Sequence, residues 1–322
     1  FWKNIWSEND PALIHGGDPM KAIDIHAHIF SCVHGANRNG PVTSERYGRV
    51  FNGGLVKPFM PPLSDHTTFT EDNLLEMMAR SDVEKAVLLQ NPTIGLINGE
   101  VAGAVRAHPG VFAAAAQVDP FLPDAAERLQ ALVETGAFRA LKLEMSDDWG
   151  WLSIHPQADF HYRRVYPLLD VAAANRLHVI FDTGATTGAA YLVDELRGLV
   201  RDYPDIHFVF EHLGYMTPGG DKQRYEQLLQ LGRLENVSFG ISAAGQLLAE
   251  EYPCKRALLL LQQAYEIMGA EKLLWGSDCP TTLCRYTYQQ MKDFVAMHAT
   301  FLTEKERFQI LYDNADRMFF GD

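Results

Sequence analysis

Eight short apolar segments, each followed by a helical pattern, recur along this 322-residue chain and constrain its fold more than any other feature. The segments are too apolar for a half-exposed sheet, so we interpret them as buried strands. Strands that alternate with helices form a parallel sheet, and eight such units predict an α/β fold, the (β/α)8 TIM barrel, as one domain over residues 21–322. The predicted strands lie at residues 23–30, 85–90, 112–118, 140–145, 178–182, 207–212, 237–241 and 272–275.

An open, doubly wound sheet is the main alternative fold. Such a sheet would need a glycine-rich loop for a dinucleotide or a phosphate directly after the first strand. The residues that follow Phe30 contain no such motif, and no linker or change of composition divides the chain. The closed barrel is therefore the prediction.

The composition limits the classes of partner. A formal net charge of −13 argues against nucleic acid and against an anionic membrane surface. Apolar runs such as residues 257–261 are too short to span a bilayer. The four cysteines form no C-x-x-C pair, which favours free thiols in a reducing compartment. We therefore expect a cytoplasmic protein that binds a small molecule, and a homodimer is compatible with the sequence.

Two segments lie outside the strand–helix units. Residues 1–20 precede the first strand and are expected to be a leader or an arm on a neighbouring subunit. Residues 31–70 form an irregular stretch rich in Gly, Pro, Asn and Arg, with Phe51, Phe59 and Phe69 among them. Loops of this length in compact domains commonly cover binding sites, so a lid is the prediction here.

Ionisable residues stand at the carboxyl ends of five predicted strands. His26 and His28 close the first strand on one face, with Asp24 below them in the same row, because alternate side chains of a strand share a face. In a barrel these ends meet at one rim, where catalytic groups gather. Each residue alone has a structural explanation, such as an ion pair or a turn cap, but together they predict a metal or acid–base site. The further candidates are Lys142, Glu144, Asp182, His212 and Asp278.

Five motifs, in this order, resemble those of the amidohydrolase-related family. This branch of the amidohydrolase superfamily includes aminocarboxymuconate-semialdehyde decarboxylase, hydroxybenzoate decarboxylases and several lactone and amide hydrolases. The resemblance implies a metal-dependent TIM barrel in which His26, His28 and Asp278 match metal ligands and His212 matches the histidine beside the substrate. It covers the chain from about Lys21 onwards and rests on IDIHAH (23–28), ALKL (140–143), EHLG (211–214), GSDCP (276–280) and LYDNA (311–315).

The sequence departs from the family pattern at the end of strand five. Family members usually place a metal-binding histidine there, in a segment ending His-Thr-Gly, whereas this chain has Asp182 in Phe-Asp-Thr-Gly. A carboxylate can still bind a divalent cation and favours a harder, more oxygen-rich site. We therefore count Asp182 and Glu144 as further candidate ligands of one divalent ion, with zinc as the first expectation and manganese as the second. A two-metal site bridged by a carboxylated Lys142 is not expected, because the histidine for the second metal is missing.

A mechanism follows from these residue types. A divalent ion would lower the pKa of a bound water toward ~7. Asp278 would accept the proton and deliver it to the leaving group, and His212 would polarise a carbonyl or stabilise an oxyanion. Lys142 and Arg285 are candidate partners for a substrate carboxylate, although Arg285 could equally face solvent.

Three functions remain open at this stage. Attack of metal-activated water on a lactone, amide or ester of a small, carboxylate-bearing substrate is the leading hypothesis. Non-oxidative decarboxylation of an aromatic or muconate-type acid is the alternative, placed second because the strand-five histidine associated with decarboxylases is absent. A non-catalytic barrel that serves as a binding protein is the third, and it predicts no loss of function when His26 is replaced by alanine.

Overall fold

The computed structural model describes residues 20–33, 35 and 42–321. Its strands are β1 (Ala22–Ala27), β2 (Val42–Ser44), β3 (Arg49–Asn52), β4 (Leu55–Pro58), β5 (Val83–Leu88), β6 (Phe112–Ala116), β7 (Ala140–Glu144), β8 (His178–Asp182), β9 (Phe208–Phe210), β10 (Val237–Ile241) and β11 (Leu273–Trp275). Eight of these strands form one parallel sheet in the order β1-β5-β6-β7-β8-β9-β10-β11. The predicted single-domain (β/α)8 barrel is confirmed, with each predicted strand at its expected place in the chain.

Helices follow the strands and cover the outside of the barrel. Threonine hydroxyls cap three of them, and the third helical residue of each returns a side-chain bond to the cap. No helix among the described residues combines the length and the apolar character that crossing a membrane requires. The helices are α1 (Glu71–Ala79), α2 (Asn98–Ala107), α3 (Ala125–Val133), α4 (Trp151–Ile154), α5 (Tyr166–Ala174), α6 (Val193–Asp202), α7 (Lys222–Leu229), α8 (Ala244–Leu247), α9 (Lys255–Met268), α10 (Tyr288–Ala296) and α11 (Glu304–Phe308).

The interior of the barrel is a packed apolar core and not a pore. Branched aliphatic side chains and alanines make up most of it, and branched residues are typical of barrel interiors. The chain after α11 adds Ala315 and Phe319 to this cluster. Leu89, directly after β5, also belongs to it, and the strand residues in the cluster are Ile23, Ile25, Val87, Ala113, Ala115, Ala140, Ile180, Val209 and Leu274.

The barrel closes at a seam between β1 and the loop that follows β11. Ala27 and Cys279 form a parallel bridge across this seam. The His28 amide donates to the Cys279 carbonyl at 2.9 Å, and the Asp278 amide donates to the His26 carbonyl at 2.7 Å. Backbone hydrogen bonds therefore place both histidines beside Asp278.

Asp24 reinforces the seam from its buried position on β1. Its carboxylate accepts hydrogen bonds from the Ser277 amide at 2.8 Å, the Ser277 hydroxyl at 2.6 Å and the Tyr288 hydroxyl at 2.7 Å. The alternation of β1 predicts Asp24 in one row with the two histidine rings. The register of β1 is irregular between Asp24 and Ala27, and Asp24 bonds the seam and α10 instead.

The segment predicted as an irregular lid contains a small antiparallel sheet. Strands β2, β3 and β4 pair in that order, and Gly53 and Gly54, both with positive φ, form the two-residue turn between β3 and β4. Phe30 and Phe69 pair through two backbone hydrogen bonds, so the ends of the segment meet. The expected irregular structure is thus wrong for residues 42–58, whereas the lid role stays a prediction. Residues 34 and 36–41 of this loop, and 1–19 of the predicted leader or arm, lie outside the described residues.

Two histidines at the amino-terminal end of the barrel are held without charge. His207 contacts the Ser238 hydroxyl at 2.8 Å, and His178 donates to the Met318 carbonyl at 2.8 Å. Burial lowers the pKa of His207 to about 4 and also lowers the pKa of His178. The folded state therefore resists protonation here more than the unfolded chain does.

We expect this resistance to make stability fall in mild acid. Below about pH 6.5 the unfolded chain takes up a proton at His207 that the folded chain refuses until about pH 4. The free energy of unfolding should fall between these pH values, by at most about 3 kcal/mol from this residue. A His207→Gln variant should show a shallower fall in thermal unfolding measured from pH 7 to pH 4. His66→Gln, at an exposed histidine, is the control, and equal slopes for His207→Gln and the native protein would contradict the account.

Gly276 permits the close approach of the seam to His26. A Cβ at this position would lie 2.8 Å from the His26 Cβ and 3.1 Å from its backbone nitrogen. We expect Gly276→Ala to lower the free energy of unfolding by about 1–3 kcal/mol, measured by urea denaturation. Gly198→Ala in α6 is the matched control, since its Cβ would enter open space and alanine favours a helix. If both variants have the same midpoint of urea denaturation as the native protein, the seam tolerates a side chain and the steric argument is wrong.

Candidate functional site

A cleft of about 430 Å³ opens at the carboxyl end of the barrel. Its wall includes Pro58 and Phe59 from the end of β4, and the ring of Phe59 lies 6.1 Å from that of Trp149. The small antiparallel sheet therefore contributes directly to the cleft. Six of the residues predicted from strand ends line it, namely His26, His28, Glu144, Asp182, His212 and Asp278.

His28 is oriented by the backbone of the neighbouring strand. Its Nδ1 lies 3.1 Å from the Leu89 carbonyl, which can only accept, so Nδ1 carries the proton. Its Nε2 then presents a lone pair and lies 3.2 Å from Oδ1 of Asp278.

His26 is oriented by a buried carboxylate. Its Nδ1 lies 2.9 Å from Oε2 of Glu211, and its Nε2 lies 3.5 Å from Oδ1 of Asp278. Burial lowers the pKa of His26 well below its ordinary value, so the ring is neutral and Nε2 is free to bind a cation. Histidine ligands of metals commonly donate their other N–H to a carboxylate in this way.

His26, His28 and Asp278 together form a group that could hold a metal ion. Burial opposes ionisation of Asp278, but the adjacent His28 and His26 side chains more than offset it, so that the pKa of Asp278 lies below the usual value. Asp278 also has a positive φ of 58°. Such a backbone conformation in a residue other than glycine commonly accompanies a functional site.

A second group of potential ligands among the described residues is formed by His26, Glu211 and His212. The hydroxyl of Ser242 lies 2.9 Å from Glu211 Oε2, 2.9 Å from His212 Nδ1 and 3.4 Å from His26 Nδ1. One hydroxyl thus already contacts a side-chain nitrogen or oxygen of each member. We interpret this second group as a hydrogen-bond network, which leaves His26, His28 and Asp278 as the candidate metal centre.

Asp182 pairs with His212 across the cleft floor. Its Oδ2 lies 2.9 Å from His212 Nε2, and its Oδ1 accepts the Gly184 amide at 2.9 Å. Burial alone would lower the pKa of His212, yet the charge of Asp182 raises it to about 9. Burial likewise opposes ionisation of Asp182, but His212 holds its pKa well below the usual range. The two residues form a buried ion pair.

Glu144 and Lys142 lie next to this pair on β7. Burial and the charge of Asp182 raise the pKa of Glu144 to about 8, so this carboxyl is largely protonated at neutral pH. Lys142 is 1% exposed, and its Nζ lies 3.2 Å from Oε2 of Glu144. It does not line the cleft, so the structure gives no route to the predicted contact with a substrate carboxylate.

Two of the predicted metal ligands lie outside the candidate metal centre. Asp182 and Glu144 are absent from both candidate metal groups of the described chain, because Asp182 is engaged by His212 and Glu144 contacts Lys142. Arg285 lines the edge of the cleft and is exposed, so it can reach both substrate and solvent.

Sequence reasoning missed Glu211 and Ser242. Glu211 follows the apolar strand β9, where a lone acid after Phe210 was the available signal. Its burial requires Gly240, since a Cβ there would lie 2.3 Å from Glu211 Oε2. Ser242 gave no signal, because a serine after a strand is common in turns.

Solved structures resemble this chain along most of its length. A probable 2-pyrone-4,6-dicarboxylic acid hydrolase from Acinetobacter baumannii with citric acid bound is 19% identical, with a TM-score of 0.67 over 93% of this chain and 99% of that one. A zinc-bound amidohydrolase from Burkholderia multivorans is 17% identical, with a TM-score of 0.66 over 92% and 98%. The 5-carboxyvanillate decarboxylase from Sphingomonas paucimobilis is 14% identical, with a TM-score of 0.60 over 93% and 99%. At these identities the likeness shows the shared fold.

The family is established by a different comparison. No curated protein matches the chain in sequence. A family model described as Amidohydrolase matches residues 23–321, which include every strand of the barrel except the first residue of β1. The chain therefore belongs to the amidohydrolase family and is an enzyme of that family.

Proposed function

We propose that this enzyme is a metal-dependent hydrolase that attacks a lactone, amide or ester bond of a small anionic substrate. The observation that supports this most directly is the convergence of His26 Nε2, His28 Nε2 and Asp278 Oδ1 at the cleft floor. Membership of an enzyme family removes the non-catalytic barrel from consideration.

The residues present fit one divalent ion. The Nδ1 atoms of His26 and His28 face a carboxylate and a carbonyl, so both Nε2 lone pairs are available without rearrangement of protons. Two imidazoles and one carboxylate suit zinc, with manganese as the second choice. When bound, the ion would act as a Lewis acid that acidifies a water and polarises a substrate oxygen.

The remaining roles follow from the hydrogen bonds of each residue. Asp278 turns Oδ1 toward the histidines, while Oδ2 lies 3.3 Å from the Thr281 hydroxyl. We assign to Oδ2 the acceptance of a proton from water and its return to the leaving group. His212 holds protons on both nitrogens, because both face acceptors, and so acts as a fixed positive charge for a developing oxyanion. Arg285 at the cleft edge is the proposed partner of a substrate carboxylate.

Decarboxylation is the second candidate, and Glu144 favours it. A carboxyl group with a pKa of about 8 on the cleft wall is a proton donor at neutral pH. Replacement of CO₂ by a proton on carbon needs such a donor, whereas hydrolysis through Asp278 does not.

Three further proposals concern the location, the oligomeric state and the substrate of the enzyme. Its cytoplasmic location stays a prediction from cysteine usage, and the homodimer stays a prediction as well. The substrate is proposed to be a small carboxylate, in keeping with the cleft volume and the exposed guanidinium of Arg285.

If the metal centre is correct, the purified protein should contain a fixed number of metal ions per chain. Native protein purified without chelator should contain about one zinc or manganese ion per chain by elemental analysis, and His28→Ala should contain almost none. His155→Ala is the matched control, because His155 also pairs with a buried carboxylate, Asp119, but stands outside the candidate group. Native protein that stays free of metal after incubation with zinc would refute the metal centre.

Two carboxyl variants should separate the candidate reactions. Asp278→Asn should lower kcat by about 10²–10⁴-fold for a hydrolase, because it removes the acid–base group, and should also lower kcat for a decarboxylase, because Asp278 belongs to the proposed metal centre. For a hydrolase, Glu144→Gln should keep kcat within about tenfold, whereas a decarboxylase should lose about 10²-fold or more. Turnover is followed by acid release from lactones and esters and by CO₂ release from aromatic acids. Sustained CO₂ release by the native enzyme, abolished in Glu144→Gln, would reverse the order of the two candidates.

A further inference from the structure

Ser242 lies behind the cleft at the point where the site's hydrogen bonds meet. It follows β10, it is 1% exposed, and it does not line the cleft. It therefore cannot touch a substrate, so any influence on the reaction must pass through its neighbours.

The hydroxyl of Ser242 has three polar neighbours and one proton to give. The proton goes to Glu211 Oε2 at 2.9 Å, because a carboxylate only accepts. The lone pairs of the hydroxyl then accept the N–H groups of His212 at 2.9 Å and, more distantly, of His26 at 3.4 Å. With the hydrogen bonds in this direction, both histidines carry a proton on Nδ1.

The orientation of His26 depends on this arrangement. Its Nδ1 donates to Glu211 Oε2, and that same oxygen accepts the Ser242 proton. The other oxygen, Oε1, is buried and has no hydrogen-bond partner among the described residues. The carboxylate is therefore held through Oε2 alone, and loss of the Ser242 hydroxyl would leave only His26 to fix it.

We infer that Ser242 is a positioning residue for the metal centre, whose hydroxyl fixes Glu211 and through it holds His26 with Nε2 toward Asp278. This inference rests on the proposed metal centre. Groups that orient the ligands of a metal typically change metal affinity by about 10–100-fold when they are removed.

The chain offers a matched control for this serine. Ser238 lies on β10, is 2% exposed, and its hydroxyl also contacts a histidine, His207, at 2.8 Å. It stands near the opposite end of the barrel, so Ser238→Ala removes a buried serine–histidine contact without touching the site. Ser242→Thr is the rescue variant, because it keeps the hydroxyl and a cavity of about 40 Å³ borders Ser242.

Zinc affinity of the protein tests the inference. We expect Ser242→Ala to raise the zinc dissociation constant, measured by competition with a chromogenic chelator, by 10-fold or more. Ser242→Thr should restore it to within about threefold, and Ser238→Ala should leave it unchanged. The absorption spectrum of the cobalt-loaded protein should change in Ser242→Ala alone, because the spectrum follows the ligand geometry. Native affinity in Ser242→Ala, or an equal loss in Ser238→Ala, would overturn the inference.

A structural readout separates this inference from the proposed function. If the native protein binds no zinc, the metal centre fails, and the crystal structure of metal-free Ser242→Ala still decides the role of Ser242. The inference expects the His26 ring to turn or shift in that variant and to keep its place in Ser238→Ala. An unchanged His26 ring in Ser242→Ala would refute the positioning role, whatever the metal content.

Discussion

The backbone seam between β1 and the loop after β11 is the constraint on which the site depends. His28 and Asp278 are 250 residues apart in the chain, yet hydrogen bonds from their own main-chain amides join the two segments. The imidazoles and the carboxylate thus meet because the barrel closes there, and not because their charges attract. Asp24 adds side-chain bonds to the same seam, and Gly276 gives it room. The contacts that close the barrel are therefore also the contacts that bring the candidate site together.

Closure alone would leave several ionisable groups buried below the cleft, where an unpaired charge is costly. Burial would lower the pKa of Lys142, but the neighbouring carboxyl groups of Glu144, Asp182 and Glu211 raise it instead. The same ammonium group favours ionisation of Glu211, whose pKa burial raises. Positive and negative groups thus support each other as a set. Removal of one member leaves another uncompensated, so single substitutions here are expected to act on several groups at once.

The sequence predicted the barrel because its evidence is periodic. Buried parallel strands are apolar throughout, and each is followed by a helix, so the eight units stand out without knowledge of contacts. The same regularity placed His26, His28, His212 and Asp278 at one rim. The small sheet of β2 to β4 was not predicted, since three short strands within a polar loop give little period-two signal. The partners of these rim residues could not be predicted either, because a hydrogen bond between Ser242 and Glu211 depends on distances across the barrel that no local pattern encodes.

Asp182 shows how one substitution can redistribute roles within the family pattern. The resemblance leads one to expect a metal-binding histidine here, and a carboxylate could have taken over as a ligand. In this structure Asp182 bonds His212 instead, and a backbone amide fixes its second oxygen. The carboxylate therefore stabilises the doubly protonated form of His212, whose Nδ1 faces the Ser242 carbonyl and hydroxyl. The proposed centre, with one ligand fewer than the family pattern and the fixed positive charge of His212 beside it, would stabilise negative charge on a substrate oxygen better than it would bind a second substrate group to the metal. This balance is why hydrolysis takes precedence over decarboxylation in the proposed function.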